Sequence, residues 1–201
     1  MNPTLNQVIQ FAQSEPIPEY RKKTLQPLIN YVQKKVDAKQ EVHLNFICTH
    51  NSRRSQFSQI WAAVASNHYG VQIHSYSGGV EVTAFNERAV ESLKRQGLEI
   101  TSSGESNPRY VVKFSNDAPS VLAFSKLFDD ASSPKEAFAA VMTCSHADEN
   151  CPFVPGTEQR ISVTYEDPKK FDDSVLESSM YDARSLQIAS EMFHVFSQIQ
   201  K

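Results

Sequence analysis

The sequence predicts an α/β fold: a central parallel sheet of about four strands with helices on both faces. Short apolar runs at 42–48, 138–144 and 160–165 read as strands, and stretches with apolar residues at helical spacing stand among them. Strands that alternate with helices imply parallel pairing and a sheet covered on both sides. Two further strand-like segments, RYVVKF and SVLAFSK, flank the turn-rich SNDAP and add a β-hairpin.

The chain has 201 residues, 40% of them hydrophobic, enough for one domain with a full core and an appended segment. We divide it into a helical N-terminal extension, 1–40, and an α/β domain, 41–201, with an insertion at about 104–137. The net charge of -3 points to neither nucleic acid nor an anionic membrane. The first residues lack a basic stretch followed by a long apolar one, so no signal peptide is expected. No apolar run approaches the ~20 residues needed to span a bilayer. Three cysteines, Cys48, Cys144 and Cys151, do not make a secreted disulfide framework. The expectation is a cytoplasmic protein whose thiols are reduced at rest.

In residues 1–40, TLNQVIQFAQ and PEYRKKTLQPLINYVQKKVDAK are helix-like, broken apart by Pro16 and Pro18. Leu25, Leu28, Ile29 and Val32 share one face, suited to packing on the main domain or to a dimer surface. VHLNFIC is the first buried strand. The helix after it runs from about Arg54 to Tyr69, with Phe57, Ile60, Trp61, Val64 and Ala65 as its core stripe. Gly70 supplies a left-handed stop. VQIHSYS, 71–77, alternates as a second strand. Thr83 can cap a helix running to about Gln96, with Gly97 as its stop. The hairpin, the strands FAAVMTC and RISVTY, and a long amphipathic helix from Ser178 complete the chain.

Chemistry gathers where the first strand ends. Ligands of parallel sheets sit beyond the carboxyl ends of the strands, and Cys48 lies there. THNSR must form a loop before the helix begins near Arg54. Consecutive loop amides and a helix N-terminus together make an anion-binding nest, which also favours a thiolate over a thiol. The Arg54 guanidinium can grip two oxygens of a tetrahedral oxyanion. Ser55 can donate to the thiolate.

Cys48-Thr49-His50-Asn51-Ser52-Arg53-Arg54-Ser55 resembles the Cys-x5-Arg-Ser/Thr loop of the low-molecular-weight protein tyrosine phosphatases and of the thioredoxin-coupled arsenate reductases that share their fold. The resemblance covers roughly 42–200. It implies that Cys48 is the nucleophile, that Thr49, His50, Asn51, Ser52, Arg53, Arg54 and Ser55 bind the oxyanion, and that Asn51 holds the loop in a left-handed turn. His50 departs from the pattern, since that position is commonly small, often Gly; its side chain would narrow the site or reach the anion. Arg53 occupies a variable position, where extra positive charge would favour a more highly charged oxyanion. The family also carries an Asp-Pro pair on a late loop. Asp167-Pro168 matches it, making Asp167 the general acid, with Glu166 as fallback.

TCSHADENCPFVP separates the branches. Cys144 and Cys151 resemble the redox segment of the arsenate reductases, which a simple phosphatase does not need. The resemblance implies that Cys48 attacks arsenate, Cys144 attacks Cys48 to release arsenite, and Cys151 then forms Cys144–Cys151, the disulfide that thioredoxin reduces. The polar segment between them must change shape and should be mobile. On residue types alone two other readings stand. Cys144, His146 and Cys151 offer three zinc ligands where a structural site wants four. Alternatively both cysteines merely pack, although their polar flanks look exposed. Gln59 stands where some reductases carry a Glu that helps hold potassium, so that ion is not expected; no metal and no cofactor is expected. The expected activity is arsenate reduction, with phosphotyrosine or aryl-phosphate hydrolysis through a phosphocysteine as the alternative. Neither nucleic acid nor membrane is an expected partner.

Overall fold

The computed structural model describes residues 2–150 and 153–201. Helices α1 (Pro3–Ser14) and α2 (Glu19–Asp37) lead into β1 (His43–Cys48), α3 (Arg54–Tyr69), β2 (His74–Gly79) and α4 (Glu87–Arg95). Strands β3 (Glu99–Ser103), β4 (Arg109–Lys113) and β5 (Val121–Ala123) follow. The chain then forms β6 (Phe138–Met142), α5 (Ser145–Asn150), β7 (Thr157–Ser162), a 3-10 turn at Pro168–Phe171, and α6 (Glu177–Ser197). The central sheet has the order β2-β1-β6-β7, every pair parallel, and β3-β4-β5 form a separate antiparallel sheet. This is the expected α/β architecture. Among the described residues no helix is long and apolar enough to cross a membrane.

Alternation along the strands feeds two cores. Leu44 and Phe46 of β1, with Ala139 and Val141 of β6, join the larger cluster under α1, α2, α3, α4 and α6. Ile47, Ala140 and Met142 point the other way, into a smaller cluster with Cys48, Phe138, Cys144, Ala147 and Val154, against which Phe128 packs. The second face is therefore covered by short α5 and the segment around Phe128 rather than by long helices. Helix α3 is buried around most of its circumference, Trp61 completely. The Trp61 Nε1–H donates to Ser185 of α6 at 2.9 Å.

Several boundaries differ from the expected ones for local reasons. The cap of helix α4 lies three residues beyond Thr83, at Asn86, whose side chain accepts from the Arg88 amide. The Thr83 amide donates instead to Ser125 Oγ and its hydroxyl to the His50 carbonyl. Strand β2 runs through Gly78 and Gly79 rather than starting at Val71. Strand β7 begins at Thr157, yet Val163 and Tyr165 still donate to Met142 and Thr143. The hairpin is present as β4 and β5, and β3 joins it as a third strand that polar EITSS does not announce. Helices α1 and α2 pack on α6, with Leu5, Leu25 and Leu28 fully buried, so this packing occupies the face that Leu25 and Leu28 present.

Candidate active site

The segment after β1 is wrapped by protein on its outside. Thr49 O accepts from the amides of Val80 and Glu81, each at 2.8 Å, and His50 O from Ser125 Oγ at 2.8 Å. Asn51 O accepts from Gln56 Nε2, Ser52 O from the Asn86 amide and Arg53 O from the Phe57 amide, all at 2.9 Å. Five successive carbonyls held this way turn the intervening amides toward the hollow of the loop. Arg53 at the N-cap of α3 makes no side-chain capping bond, so no cap from that side chain occupies the first-turn amides of the helix. Asn51 supplies the left-handed residue, at φ 47°. Gly79 lets the loop sit close: a Cβ there would lie 2.7 Å from Asn51 N and 2.8 Å from Thr49 O.

Cys48 is 3% exposed, and its Sγ stands 3.1 Å from Ser55 Oγ. The direction of that bond follows from the next two links. The Lys126 amide can only donate, and it meets Asn51 Oδ1 at 3.0 Å. Asn51 Nδ2 therefore faces Ser55 and donates to Oγ at 2.8 Å. With its oxygen accepting there, Ser55 has its proton free to donate to the sulfur.

Arg54 joins the loop to the late segment. Its Nη2 donates to Asp167 Oδ2 at 2.7 Å and its Nη1 to Tyr165 O at 3.1 Å. Its Nε is buried without a partner among the described residues, a donor suited to an anion. Asp167 also caps the 3-10 turn, accepting from the Lys169 amide at 3.0 Å. Arg54 thus brings Asp167 to the rim of the loop. Glu166, the fallback acid, pairs outward with Lys170 at 3.5 Å.

Cys144 lies two residues beyond the end of β6, the strand next to β1. It is completely buried, against the exposure its polar flanks suggest, because the polar side chains of α5 face outward while the thiol turns into the smaller core. Its Sγ lies 3.4 Å from Thr49 Oγ1 and accepts from the Ala147 amide at 3.3 Å. His146 Nδ1 meets the same Thr49 hydroxyl at 3.2 Å. Thr49 therefore links the loop after β1 to the segment after β6. The expected polar link after Cys144 is a helix, pinned by Ser162 to Asp148 at 2.7 Å and Arg160 to Asp148 at 2.8 Å. Cys151 lies outside the described residues.

Two loop side chains are engaged away from the loop itself. Arg53 is spent on Tyr181 OH at 2.7 Å and on Asp172 at 3.5 Å, so its charge is largely balanced there. Tyr181 completes that triangle by donating to Asp172 at 2.8 Å, and burial with that bond pushes its phenol up to about 12. His50 turns outward to Glu81, 3.3 Å away. Gln59 fills the space beside β2, accepting from Ser77 Oγ at 2.6 Å and donating to Ser75 O at 3.2 Å. Sequence reasoning missed Tyr181 and Asp172 as partners of Arg53, and Arg21 as a support. Arg21 of α2 grips both oxygens of buried Glu191 at 2.8 and 2.7 Å and donates to Thr164 O at 3.2 Å, just before Asp167. These contacts join residues far apart in the chain, and no local pattern announces them.

The chain matches no protein-family model. It is 30% identical over 123 residues to arsenate reductase 1 of Staphylococcus saprophyticus, across 61% of this chain and 76% of that protein. It is 29% identical over 123 residues to arsenate reductase 2 of Staphylococcus epidermidis, with the same coverage. Its backbone is similar to a low-molecular-weight phosphotyrosine phosphatase of Vibrio cholerae, with a TM-score of 0.52 at 12% identity over 78% of this chain and 94% of that one, a likeness of fold alone.

Proposed function

This chain belongs to the arsenate reductases, and on that premise we propose that it reduces arsenate to arsenite through Cys48, Cys144 and Cys151. Arsenate sits in the loop, held by the amides of 49–55 and by Arg54. The Cys48 thiolate attacks arsenic, and one arsenate oxygen leaves as water with a proton that Asp167 can supply. The Cys144 thiolate then attacks Cys48 Sγ. The sulfur–sulfur bond forms, the sulfur–arsenic bond breaks, and arsenic keeps the electron pair, leaving as arsenite. Cys151 attacks Cys144 in turn, freeing Cys48 as thiolate. An external dithiol, which we take to be thioredoxin in a reducing cytoplasm, reduces the Cys144–Cys151 bond.

The placement of Cys144 carries this reading. Its thiol stands just beyond the end of the strand beside β1, in one apolar cluster with Cys48 and in contact with Thr49 of the loop. A phosphatase could use Cys48, Arg54 and Asp167 but has no use for that thiol. The final exchange requires α5 to open: its six residues span ~9 Å along the axis, more than the ~7 Å limit between the Cα atoms of a disulfide. The test is a side-by-side assay of arsenate-dependent thioredoxin oxidation and aryl-phosphate hydrolysis. The reductase reading expects saturable arsenate turnover. Efficient phosphate-ester hydrolysis with no arsenate turnover would assign the site to a phosphatase.

A further inference from the structure

Strands β1 and β2 begin side by side at the end of the sheet opposite the loop, and their pairing sets His43 across from His74. Glu41 lies in the link between α2 and β1. One ligand atom from each of the three lies within 4.8 Å of the other two. His43 Nε2 is 3.1 Å from Glu41 Oε2, and His74 Nε2 is 4.0 Å from Glu41 Oε1. The imidazoles stack with centroids 4.7 Å apart and planes 14° apart, so both Nε2 atoms address one carboxylate.

We propose that Glu41, His43 and His74 bind a borderline divalent transition ion such as zinc or nickel. Two imidazole nitrogens and a carboxylate oxygen are a donor set such ions prefer over magnesium or calcium. A proton can be shared between only two of these atoms, whereas a divalent ion engages all three. Tyr76 OH lies 3.4 Å from His43 Nδ1, so it orients the ring with Nε2 toward the ion. His74, about half exposed, is free to tilt and bring its nitrogen into a tetrahedral position. A cavity of about 320 Å3, lined by Glu41 and His74, leaves room for a water or anion as fourth ligand. Lys39 and Lys201 line the same cavity and would balance an anionic one. The ion would tie the α2–β1 link to β2, an edge strand of the central sheet.

The test is titration of the metal-free full chain with cobalt(II) at pH 7.5, followed by absorption. The expected result is one equivalent bound with the visible bands of a four-coordinate nitrogen and oxygen site, displaced by zinc. Glu41→Gln and His74→Gln should each weaken binding at least tenfold. Both side chains are largely exposed, and thermal unfolding of the metal-free variants checks that they fold. No binding by the parent chain overturns the proposal. So does binding that neither substitution weakens, or a spectrum owed wholly to thiolate ligands.

Discussion

Replacing Ser55 with alanine removes the hydroxyl that meets Cys48 Sγ at 3.1 Å and leaves Asn51 Nδ2 without its acceptor. Both Ser55 and Cys48 are buried, so water does not readily replace the lost donor. A hydrogen bond to a charged group contributes about 1.5–3 kcal/mol. If that stabilisation belongs to the thiolate, reactions of Cys48 should slow about 10- to 100-fold, at a tenfold change per ~1.4 kcal/mol. The stranded Asn51 amide should cost a further ~1–3 kcal/mol of folding stability. The assay is timed alkylation with iodoacetamide at pH 7, with each thiol followed by peptide mass spectrometry beside arsenate turnover. Cys48 should lose reactivity in step with turnover while Cys144 keeps its parent rate. Alkylation of Cys48 at the parent rate would refute the reasoning that Ser55 donates to the sulfur.

Other perturbations test neighbouring parts. Arg21→Gln leaves Glu191, 1% exposed, as an unpaired buried charge and should cost about 3–5 kcal/mol in urea unfolding. Turnover should fall as well at temperatures where the variant is folded, because Arg21 also holds Thr164. Asp167→Asn should slow hydrolysis of aryl phosphates about 10²–10⁴-fold, most for poor leaving groups; a uniform loss would point to positioning through Arg54. Lys126 is pushed down by burial from the ordinary lysine value of 10.5 to about 8, offset only in part by Asp130. Below about pH 8 both folded and unfolded chains carry that proton, and the folded one bears the desolvation. Between 8 and 10.5 the unfolded chain holds more protons, so stability rises with pH. Lys126→Met should therefore gain up to about 3 kcal/mol at pH 7, an advantage that shrinks toward pH 10. Denaturant unfolding at the two pH values reads it.

What was legible in the sequence was local. The Cys48–Ser55 loop is one continuous stretch between an apolar run and an amphipathic stripe, and Gly70 stops α3 at φ 62° as its position suggests. Thr83 misled because a cap is decided by competition. Its amide and hydroxyl are committed to Ser125 and His50, so Asn86 caps the helix. Strand β3 is polar and mostly exposed, and it is a strand through its pairing with β4 rather than its propensity. The polar residues beside Cys144 face solvent from α5, and nothing local says that the thiol itself turns inward. Arg53 likewise looks like a free charge in the loop until α6 brings Tyr181 beneath it.

The central claim is that Cys144 resolves an adduct on Cys48. Cys151→Ser tests it most directly, because that substitution stops the relay after the resolving step. The variant, incubated with arsenate without reductant, should release one equivalent of arsenite and hold a Cys48–Cys144 disulfide visible by mass spectrometry. The Cys144→Ser variant, which lacks the resolving thiol, should release none. Multiple turnover by either variant once thioredoxin is supplied, or one equivalent of arsenite released from Cys151→Ser without reductant while Cys48 and Cys144 remain free thiols, would contradict the account.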